Sequence, residues 1–261
     1  MTGLSINVSS TPEFGARAGD YLRHRHGFPE ALFQRLASAG VTRPGIALLD
    51  LGTGTGSLAL GFARQGLEVT GLDRSAAMLG AARARSRSEG LDVHWLEAPA
   101  ERTGLSGCSF DVITAGQCWH WFHRSAAAAE VQRLLRPEGV LVVAHMDWVE
   151  LPGSVLEATL RVVRRHGTFP PQALLGQHAT YPLWLDELGA SGFEVESFSF
   201  DVFLEYDHRS LPGRMRASAA LCDLGEERLA RFDADYQREV GRRFSEPFSV
   251  PHRVYVVLAR P

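Results

Sequence analysis

Five short apolar segments alternate with helical patterns between residues 45 and 148, and this alternation constrains the fold more than any other feature. The segments are "GIALLDL", "LEVTGLD", "DVHWLEA", "FDVITA" and "VLVVAHMDW". Strands that alternate with helices of about a dozen residues indicate βαβ units and a parallel sheet. Their near-continuous apolar character indicates that helices cover both faces of the sheet. The pattern therefore predicts an α/β fold with a doubly wound sheet.

The alternation breaks after Trp148. Residues 149–180 show weak periodicity, whereas "YPLWLDELGASGF" predicts a helix and "EVESFSFDVFLEY" a strand. Residues 207–250 predict helices, most clearly in "EERLARFDADYQREVGRRF", and "HRVYVVLAR" predicts a closing strand. Two further helices are predicted in "FPEALFQRLASAG", with Pro29 in its first turn, and in "RSAAAAEVQRLLRPEG", closed by Pro and Gly.

A chain of 261 residues is long enough for one sizeable α/β domain with insertions, or for two small ones. Its formal net charge of −3 gives no general attraction to nucleic acid or to an anionic membrane. No apolar run approaches the length of a membrane span, and the N-terminus lacks the pattern of a signal peptide. Three scattered cysteines fit free thiols in a reducing compartment. We therefore predict a cytoplasmic protein with no nucleic-acid partner and no membrane partner.

The segment "LLDLGTGTG" places Gly52, Gly54 and Gly56 in the turn between the first strand and the next helix. Glycine lets the backbone of such a turn approach a ligand closely, because no β-carbon intervenes. The helix that follows begins with N–H groups that point at the turn. Asp73 ends the second strand, seventeen residues after Gly56, where a carboxylate can accept both hydroxyls of a ribose. These features predict a site for a ligand that contains a nucleoside.

The glycine spacing separates two classes of nucleoside ligand. The dinucleotide pattern G-x-G-x-x-G needs a glycine at position 57 or 59, and the chain has Ser57 and Ala59 there. Its own pattern is G-x-G-x-G, which argues against a nicotinamide-dependent oxidoreductase. That class stays open as one alternative. A second alternative is a module that holds the nucleoside, or a partner, without catalysis.

Four motifs occur in order: "LLDLGTGTG", "VTGLDRSAAML", "FDVITAGQCWHWF" and "RLLRPEGVLVV". In these the chain resembles the class I S-adenosylmethionine-dependent methyltransferases, of the type 11, small-molecule subgroup. The resemblance covers residues 21–148 and returns in "LWLDELGASGFEVESFSF" and "HRVYVVLAR". It implies a Rossmann-like, seven-stranded sheet whose last strand is antiparallel, with helices on both faces. It also implies S-adenosylmethionine as the methyl donor and S-adenosylhomocysteine as the product.

The resemblance assigns roles to individual residues of the donor site. Asp73 would bind the ribose hydroxyls, Met78 would pack on the adenine, and Asp50 would order the glycine turn. Arg25, in "YLRHRHGFP", would pair with the carboxylate of the methionine moiety, because a guanidinium binds a carboxylate bidentately. The complete predicted set of donor contacts is Tyr21, Arg25, Asp50, Gly52, Gly54, Gly56, Asp73, Arg74, Met78, Ala100, Glu101, Ala115 and Gln117.

The segment "AGQCWHWFH" follows the fourth strand, where the resemblance implies that residues face the sulfonium and the acceptor. Its aromatic rings can form a dry wall that tolerates a cation. His120 is predicted to act as the catalytic base that takes a proton from the acceptor. The alternative is a hydrogen-bonded core histidine between two packing tryptophans. The predicted acceptor contacts are Trp119, Trp121, His145 and Arg214.

His145 and Asp147 occupy alternate positions of the fifth strand and therefore share a face. Together with His120 and His123 they suggest a metal site, but this spacing is weak evidence, and no metal is predicted. Arg214 would bind an acidic acceptor, as in the carboxyl methyltransferases that the sequence distantly resembles. The alternative for Arg214 is a solvated position on a helix.

The predicted partner is a small-molecule acceptor, and O-methylation is favoured slightly over N- or C-methylation because a histidine base suits a hydroxyl or carboxyl group. The predicted assembly is a monomer or a homodimer. We predict one methyltransferase domain over residues 1–261, with a helical arm (1–40), a donor-binding core (41–148), two acceptor-lid insertions (149–180 and 207–250) and the rest of the sheet (181–206 and 251–261).

Overall fold

A computed structural model describes residues 27–167, 185–218 and 220–261. Its strands are β1 (Ala47–Leu51), β2 (Glu68–Asp73), β3 (His94–Glu97), β4 (Phe110–Gly116), β5 (Leu135–Trp148), β6 (Glu194–Tyr206) and β7 (Phe248–Arg260). Its α-helices are α1 (Glu30–Ser38), α2 (Ser57–Arg64), α3 (Ala76–Ser88), α4 (Arg124–Leu134), α5 (Val155–His166), α6 (Leu185–Ala190), α7 (Ser210–Arg216) and α8 (Glu226–Tyr236). No helix within these three ranges is long and apolar enough to cross a membrane.

The strands form one seven-stranded sheet in the order β3-β2-β1-β4-β5-β7-β6. β1 pairs in parallel with β2 and with β4, whereas β7 runs antiparallel to both β5 and β6. The predicted Rossmann-like sheet with an antiparallel last strand is therefore confirmed. The strand order reverses between β1 and β4, and sheets of this kind bind ligands at the carboxyl ends of the strands beside such a reversal.

Successive strand residues face opposite layers, so the sheet has an apolar core on each side. Leu48 of β1 packs with Leu36 of α1 and Phe62 of α2, whereas Leu49 packs with Val131 of α4 and Leu188 of α6. All six side chains are almost completely buried. This double burial explains why the central strands lack alternating polar residues.

The two insertions pack together as a separate helical unit, which we call the cap. Helices α5, α7 and α8 bury a third apolar cluster against the ends of β6 and β7, with Leu160, Leu211, Met215, Phe232, Tyr236 and Val250 among its members. Polar pairs tie the cap together and to the end of β5: His166 Nε2 lies 2.8 Å from Asp235 Oδ2, and Arg164 Nη2 lies 2.6 Å from Glu150 Oε2. That the cap acts as a lid over the acceptor stays a prediction.

The predicted helix through "LLRPEG" was wrong beyond Leu134. Leu135 already pairs with Phe110 of β4, so the chain enters β5 there. Pro137 offers no backbone N–H and disfavours a helical conformation at the residue before it. Glu138 takes a left-handed conformation with φ 65°.

The weak periodicity inferred for residues 149–180 was wrong for Val155–His166, and residues 168–180 lie outside the described ranges. Val155–His166 is an amphipathic helix with seven buried positions, and Ser154 caps it by accepting a hydrogen bond from the Glu157 N–H at 3.1 Å.

The long helix predicted after residue 225 ends as an α-helix at Tyr236 and continues as one π-helical turn, Gln237–Gly241. Pro29 is the N-cap of α1 and does not lie in its first turn.

Candidate donor and acceptor sites

The glycine turn lies at the carboxyl end of β1, and its three glycines adopt left-handed conformations. Their φ angles are 59° at Gly52, 57° at Gly54 and 82° at Gly56. A β-carbon at Gly52 would lie 2.9 Å from the Cys118 sulfur, so packing explains that glycine. A β-carbon at Gly54 would meet no atom within 4 Å. The turn is therefore close-packed on one side and open at Gly54, as a cradle for a ligand requires.

The Asp73 carboxylate is bonded to the glycine turn. One oxygen accepts a hydrogen bond from the Gly54 N–H at 2.8 Å, and the other accepts one from the Ser75 N–H at 2.9 Å. Each carboxylate oxygen has a further lone pair, so the group can still accept two hydroxyl donors. This geometry fits the predicted contact with a ribose.

Asp50 lies beneath the turn and is only 1% exposed. Its two carboxylate oxygens accept hydrogen bonds from the hydroxyls of Thr53, at 2.6 Å, and Thr114, at 2.7 Å. Burial raises the pKa of Asp50 to about 6, although both hydroxyls oppose this shift. The carboxylate thus ties the turn to β4 from within the core. The predicted role in ordering the turn is compatible with this position.

The predicted adenine side is formed by the start of α3 and the loop after β3. Ser75 caps α3 by accepting from the Met78 N–H at 3.4 Å, and Met78 is buried. Arg74 is exposed, and Ala100 is buried. Glu101 accepts a hydrogen bond from the His123 N–H at 2.8 Å, so it links this loop to the start of α4.

Gln117 directly follows β4 in a strained, left-handed conformation, with φ 60°. Its backbone N–H donates to the Ala144 carbonyl at 2.9 Å, and its side-chain amide donates to the Met146 carbonyl. Ala115, two residues earlier, is fully buried in the sheet. A non-glycine residue held in this region is uncommon, and such strain is concentrated at functional sites.

The wall that follows is a single 3-10 turn, Trp119–Trp121. Trp119 is fully buried and packs edge-on against Phe122, with ring centroids 5.8 Å apart. The His120 ring lies 4.6 Å from Trp121 and 5.4 Å from His145, measured between centroids. The structure therefore brings His120 and His145 together, although they are 25 residues apart in the sequence.

Arg214 reaches from the cap to the end of β5. Its guanidinium carbon lies 4.9 Å from the centroid of the Trp148 ring, a cation–π contact. Arg216, two residues later, pairs with Asp233 of α8. Arg214 thus contacts the end of β5, whereas Arg216 pairs within the cap.

Tyr21 and Arg25 lie outside the described residues. The described chain nevertheless begins beside the glycine turn, because the Phe28 N–H donates to Ser57 Oγ at 3.3 Å. A β-carbon at Gly116 would lie 2.9 Å from the Phe28 ring, so this residue also packs on the end of β4.

Sequence reasoning missed two residues around the turn. Arg85 was not among the predicted site residues, but it is half-buried and donates to the Thr55 carbonyl at 2.9 Å. The sequence did hold one signal for this contact. Arg85 lies seven residues after the buried Met78, and this spacing places both side chains on one face of α3. Trp95 packs against Gly56, and no local pattern indicated that contact.

No group of three or more His, Cys, Asp and Glu side chains suited to a metal ion occurs in the described ranges. His120 and His145 form a pair, and Asp147 follows His145 on the same face of β5. That the protein needs no metal stays a prediction.

Comparisons with known proteins agree with this geometry. Residues 49–143 match the family described as a methyltransferase domain. An uncharacterized methyltransferase of Mycobacterium tuberculosis is 32% identical over 163 residues, which are 60% of this chain and 64% of the relative. The malonyl-[acyl-carrier protein] O-methyltransferase of Enterobacter lignolyticus is 33% identical over 143 residues, 53% of this chain and 54% of that enzyme. The matches thus span less than two thirds of either relative.

The fold comparison extends over most of the chain. The solved structure of a putative type II methyltransferase from Anaeromyxobacter dehalogenans superposes with a TM-score of 0.62 and 23% identity. The match covers 90% of this chain and 97% of the chain in that structure. Residues 49–143 therefore match a methyltransferase domain, and the described chain has the fold of that solved structure.

Proposed function

We propose that this protein transfers the methyl group of S-adenosylmethionine to a small-molecule acceptor, with O-methylation favoured. One observation carries the proposal. The Gly54 N–H donates a hydrogen bond to the Asp73 carboxylate, beside the point where the strand order reverses. When bound there, the sulfonium compound supplies an activated methyl group. The protein's task is to hold donor and acceptor in line and about 3 Å apart, and to keep water out.

In the donor half of the proposed site, Asp73 accepts the ribose hydroxyls and the open face at Gly54 receives the methionine moiety. The start of α2 lies beside that moiety, and Gly56, its N-cap, offers no side-chain partner to the first N–H groups of the helix. These groups favour a carboxylate. Arg25 is proposed as the second carboxylate partner, because a guanidinium binds a carboxylate bidentately. The described chain begins beside the start of α2, since a β-carbon at Gly27 would lie only 3.3 Å from Ser57 Oγ.

In the acceptor half, His120 takes the proton that a hydroxyl or carboxyl acceptor loses. His145 lies behind it, at a ring distance of 5.4 Å. Tyr255 pairs with His145 across the β5–β7 ladder, and paired residues of antiparallel strands share a face. His120, in the 3-10 turn, thus lies next to His145, which shares a face of the sheet with Tyr255. Trp121 beside His120 excludes water, and Arg214 is placed at the cap side for an acidic group on the acceptor.

The donor proposal is tested by isothermal titration of S-adenosylhomocysteine into wild-type protein and Asp73→Ala, with NADH and NADPH as controls. We expect micromolar binding of the nucleoside by wild type and its loss in the variant. Binding of a dinucleotide in its place would favour the oxidoreductase alternative and overturn the proposal.

The chemical step is tested by screening hydroxyl, carboxyl and amine compounds with methyl-labelled S-adenosylmethionine. With an accepted compound, His120→Asn should slow transfer by roughly 100-fold, since general base catalysis contributes on that scale. S-adenosylhomocysteine binding should not change. His94→Asn is the matched control, because His94 is exposed at the start of β3. No transfer to any compound, with the nucleoside still bound, would favour the non-catalytic binding module.

Three narrower predictions belong to the same proposal. We propose that the protein acts in the cytoplasm, that it is a monomer or homodimer, and that it binds neither nucleic acid nor membrane. The net charge of −3 supports the last of these, since it gives no general attraction to polyanions.

A further inference from the structure

The outer side of the glycine turn is held by two side chains that the proposed function does not use. Thr55, between Gly54 and Gly56, is 5% exposed, and its carbonyl accepts a hydrogen bond from Arg85 Nη1 at 2.9 Å. Arg85 lies on α3, thirty residues further along the chain. A hydrogen bond from a charged donor is stronger than one between neutral groups.

Trp95 of β3 supports the next position of the turn. A β-carbon at Gly56 would lie 3.0 Å from its ring, and one at Gly71 of β2 would lie 2.4 Å from it. The indole N–H donates to Ser86 Oγ at 3.3 Å, and Ser86 follows Arg85 on α3. Arg85, Ser86 and Trp95 are thus one connected group, which we call the outer brace.

The guanidinium of Arg85 is partly withdrawn from water. Burial lowers the pKa of Arg85 from its usual value, and the nearby Glu89 opposes this shift. Desolvating a cation is costly, so its contact with the Thr55 carbonyl replaces part of the lost hydration. Arg87, two residues later, is exposed. The same helix therefore carries one half-buried, hydrogen-bonded arginine, Arg85, and one exposed arginine, Arg87.

We infer that Arg85 and Trp95 are positioning residues for donor binding, which hold the Gly54–Gly56 backbone in its ligand-binding shape. Left-handed glycines have many alternative conformations, and a turn that is fixed in advance loses less entropy when it binds a ligand. Asp73 holds the Gly54 N–H from one side, and the outer brace holds the Thr55 carbonyl and Gly56 from the other. This inference rests on the proposed function.

The test combines hydrogen exchange of the ligand-free protein with titration of S-adenosylhomocysteine. The variants are Arg85→Ala, Arg85→Lys and Trp95→Leu, and Arg87→Ala is the matched control. We expect Arg85→Ala and Trp95→Leu to speed exchange in peptides covering residues 51–57, with β6 and β7 unchanged. Affinity should fall about tenfold, the usual scale for one lost hydrogen bond to a charged group. Arg85→Lys should recover part of both losses, and Arg87→Ala should match wild type.

Two results would overturn the inference. If Arg85→Ala and Trp95→Leu speed exchange everywhere, or leave both the turn and the affinity unchanged, the two residues are structural only. If wild type binds no S-adenosylhomocysteine, the proposed function fails and the donor role of the outer brace fails with it. The exchange of the turn still separates these cases, because it is measured without ligand.

Discussion

Gly54 and Asp73 are joined by a hydrogen bond of 2.8 Å from a backbone N–H to a carboxylate oxygen. The glycine turn and the acid at the end of β2 are therefore one structural unit, although nineteen residues separate them. The same carboxylate also accepts from the Ser75 N–H at the start of α3. A change at Asp73 removes a proposed ligand contact and loosens the turn that would carry the ligand.

Asp73→Asn should weaken S-adenosylhomocysteine binding by at least about tenfold, nearly as much as Asp73→Ala. An amide has one acceptor oxygen, so its NH₂ group would face either the Gly54 or the Ser75 N–H. Titration calorimetry measures the loss. Asp92→Asn is the control, because Asp92 is exposed before the amino end of β3, whereas Asp73 lies at the carboxyl end of β2. Wild-type affinity in Asp73→Asn would show that the two backbone contacts do not matter for binding.

Gly54→Ala should separate binding from folding. A β-carbon there meets no atom within 4 Å, so the cost is only that of a left-handed alanine, about 1–2 kcal/mol. The added methyl nevertheless enters the open space proposed for the donor, so we expect nucleoside binding to be lost. Denaturant unfolding and titration measure the two effects.

Two other glycines serve as controls for Gly54. Gly90 has φ 65° and equally open space, but it lies after α3, away from the turn, so Gly90→Ala should cost similar stability and leave binding intact. Gly52→Ala should cost more, roughly 2–4 kcal/mol, because its β-carbon would meet Cys118 and Phe122. Equal binding by Gly54→Ala and Gly90→Ala would contradict the proposed donor position.

The parts of the fold that follow from local patterns could be predicted, and those that depend on distant contacts could not. The apolar runs specify the parallel sheet. The spacing from Gly56 to Asp73 specifies the donor site at the carboxyl ends of β1 and β2. The extended conformation at Leu135 depends on its pairing with Phe110, and the role of Arg85 depends on a carbonyl thirty residues away. His120 and His145 meet only because β4 and β5 are neighbours in the sheet.

Asp50 should give the protein a distinctive dependence of stability on pH. Its folded pKa of about 6 lies above the ordinary value of 3.8, so the folded state binds the proton more tightly. The stability that this proton provides is fully present below pH 3.8 and is lost as the pH rises through about 6. The shift corresponds to about 3 kcal/mol.

Asp50→Asn cannot titrate, so the difference in unfolding free energy between wild type and variant isolates this effect. Wild type should lose about 3 kcal/mol relative to Asp50→Asn between pH 3 and about pH 7. Carboxylates with a lowered pKa, such as Glu130 at about 2, change stability with pH in the opposite direction. They are present in both proteins, so their effect cancels in the difference. Urea unfolding across this range measures the difference, and a constant difference would show that Asp50 does not carry the shift.

The cap should contribute stability without shaping the donor site. Phe232 is fully buried in the cap, edge-on to His166 at 5.9 Å, whereas Phe62 is equally buried in α2, directly after the glycine turn. Phe232→Ala and Phe62→Ala should each destabilise the fold by about 3–5 kcal/mol. Only Phe62→Ala should weaken S-adenosylhomocysteine binding, because α2 begins at Ser57 beside the turn. Titration well below each variant's unfolding temperature tests this contrast. Weaker nucleoside binding in Phe232→Ala would mean that the cap contacts the donor, and its assignment to the acceptor would then fail.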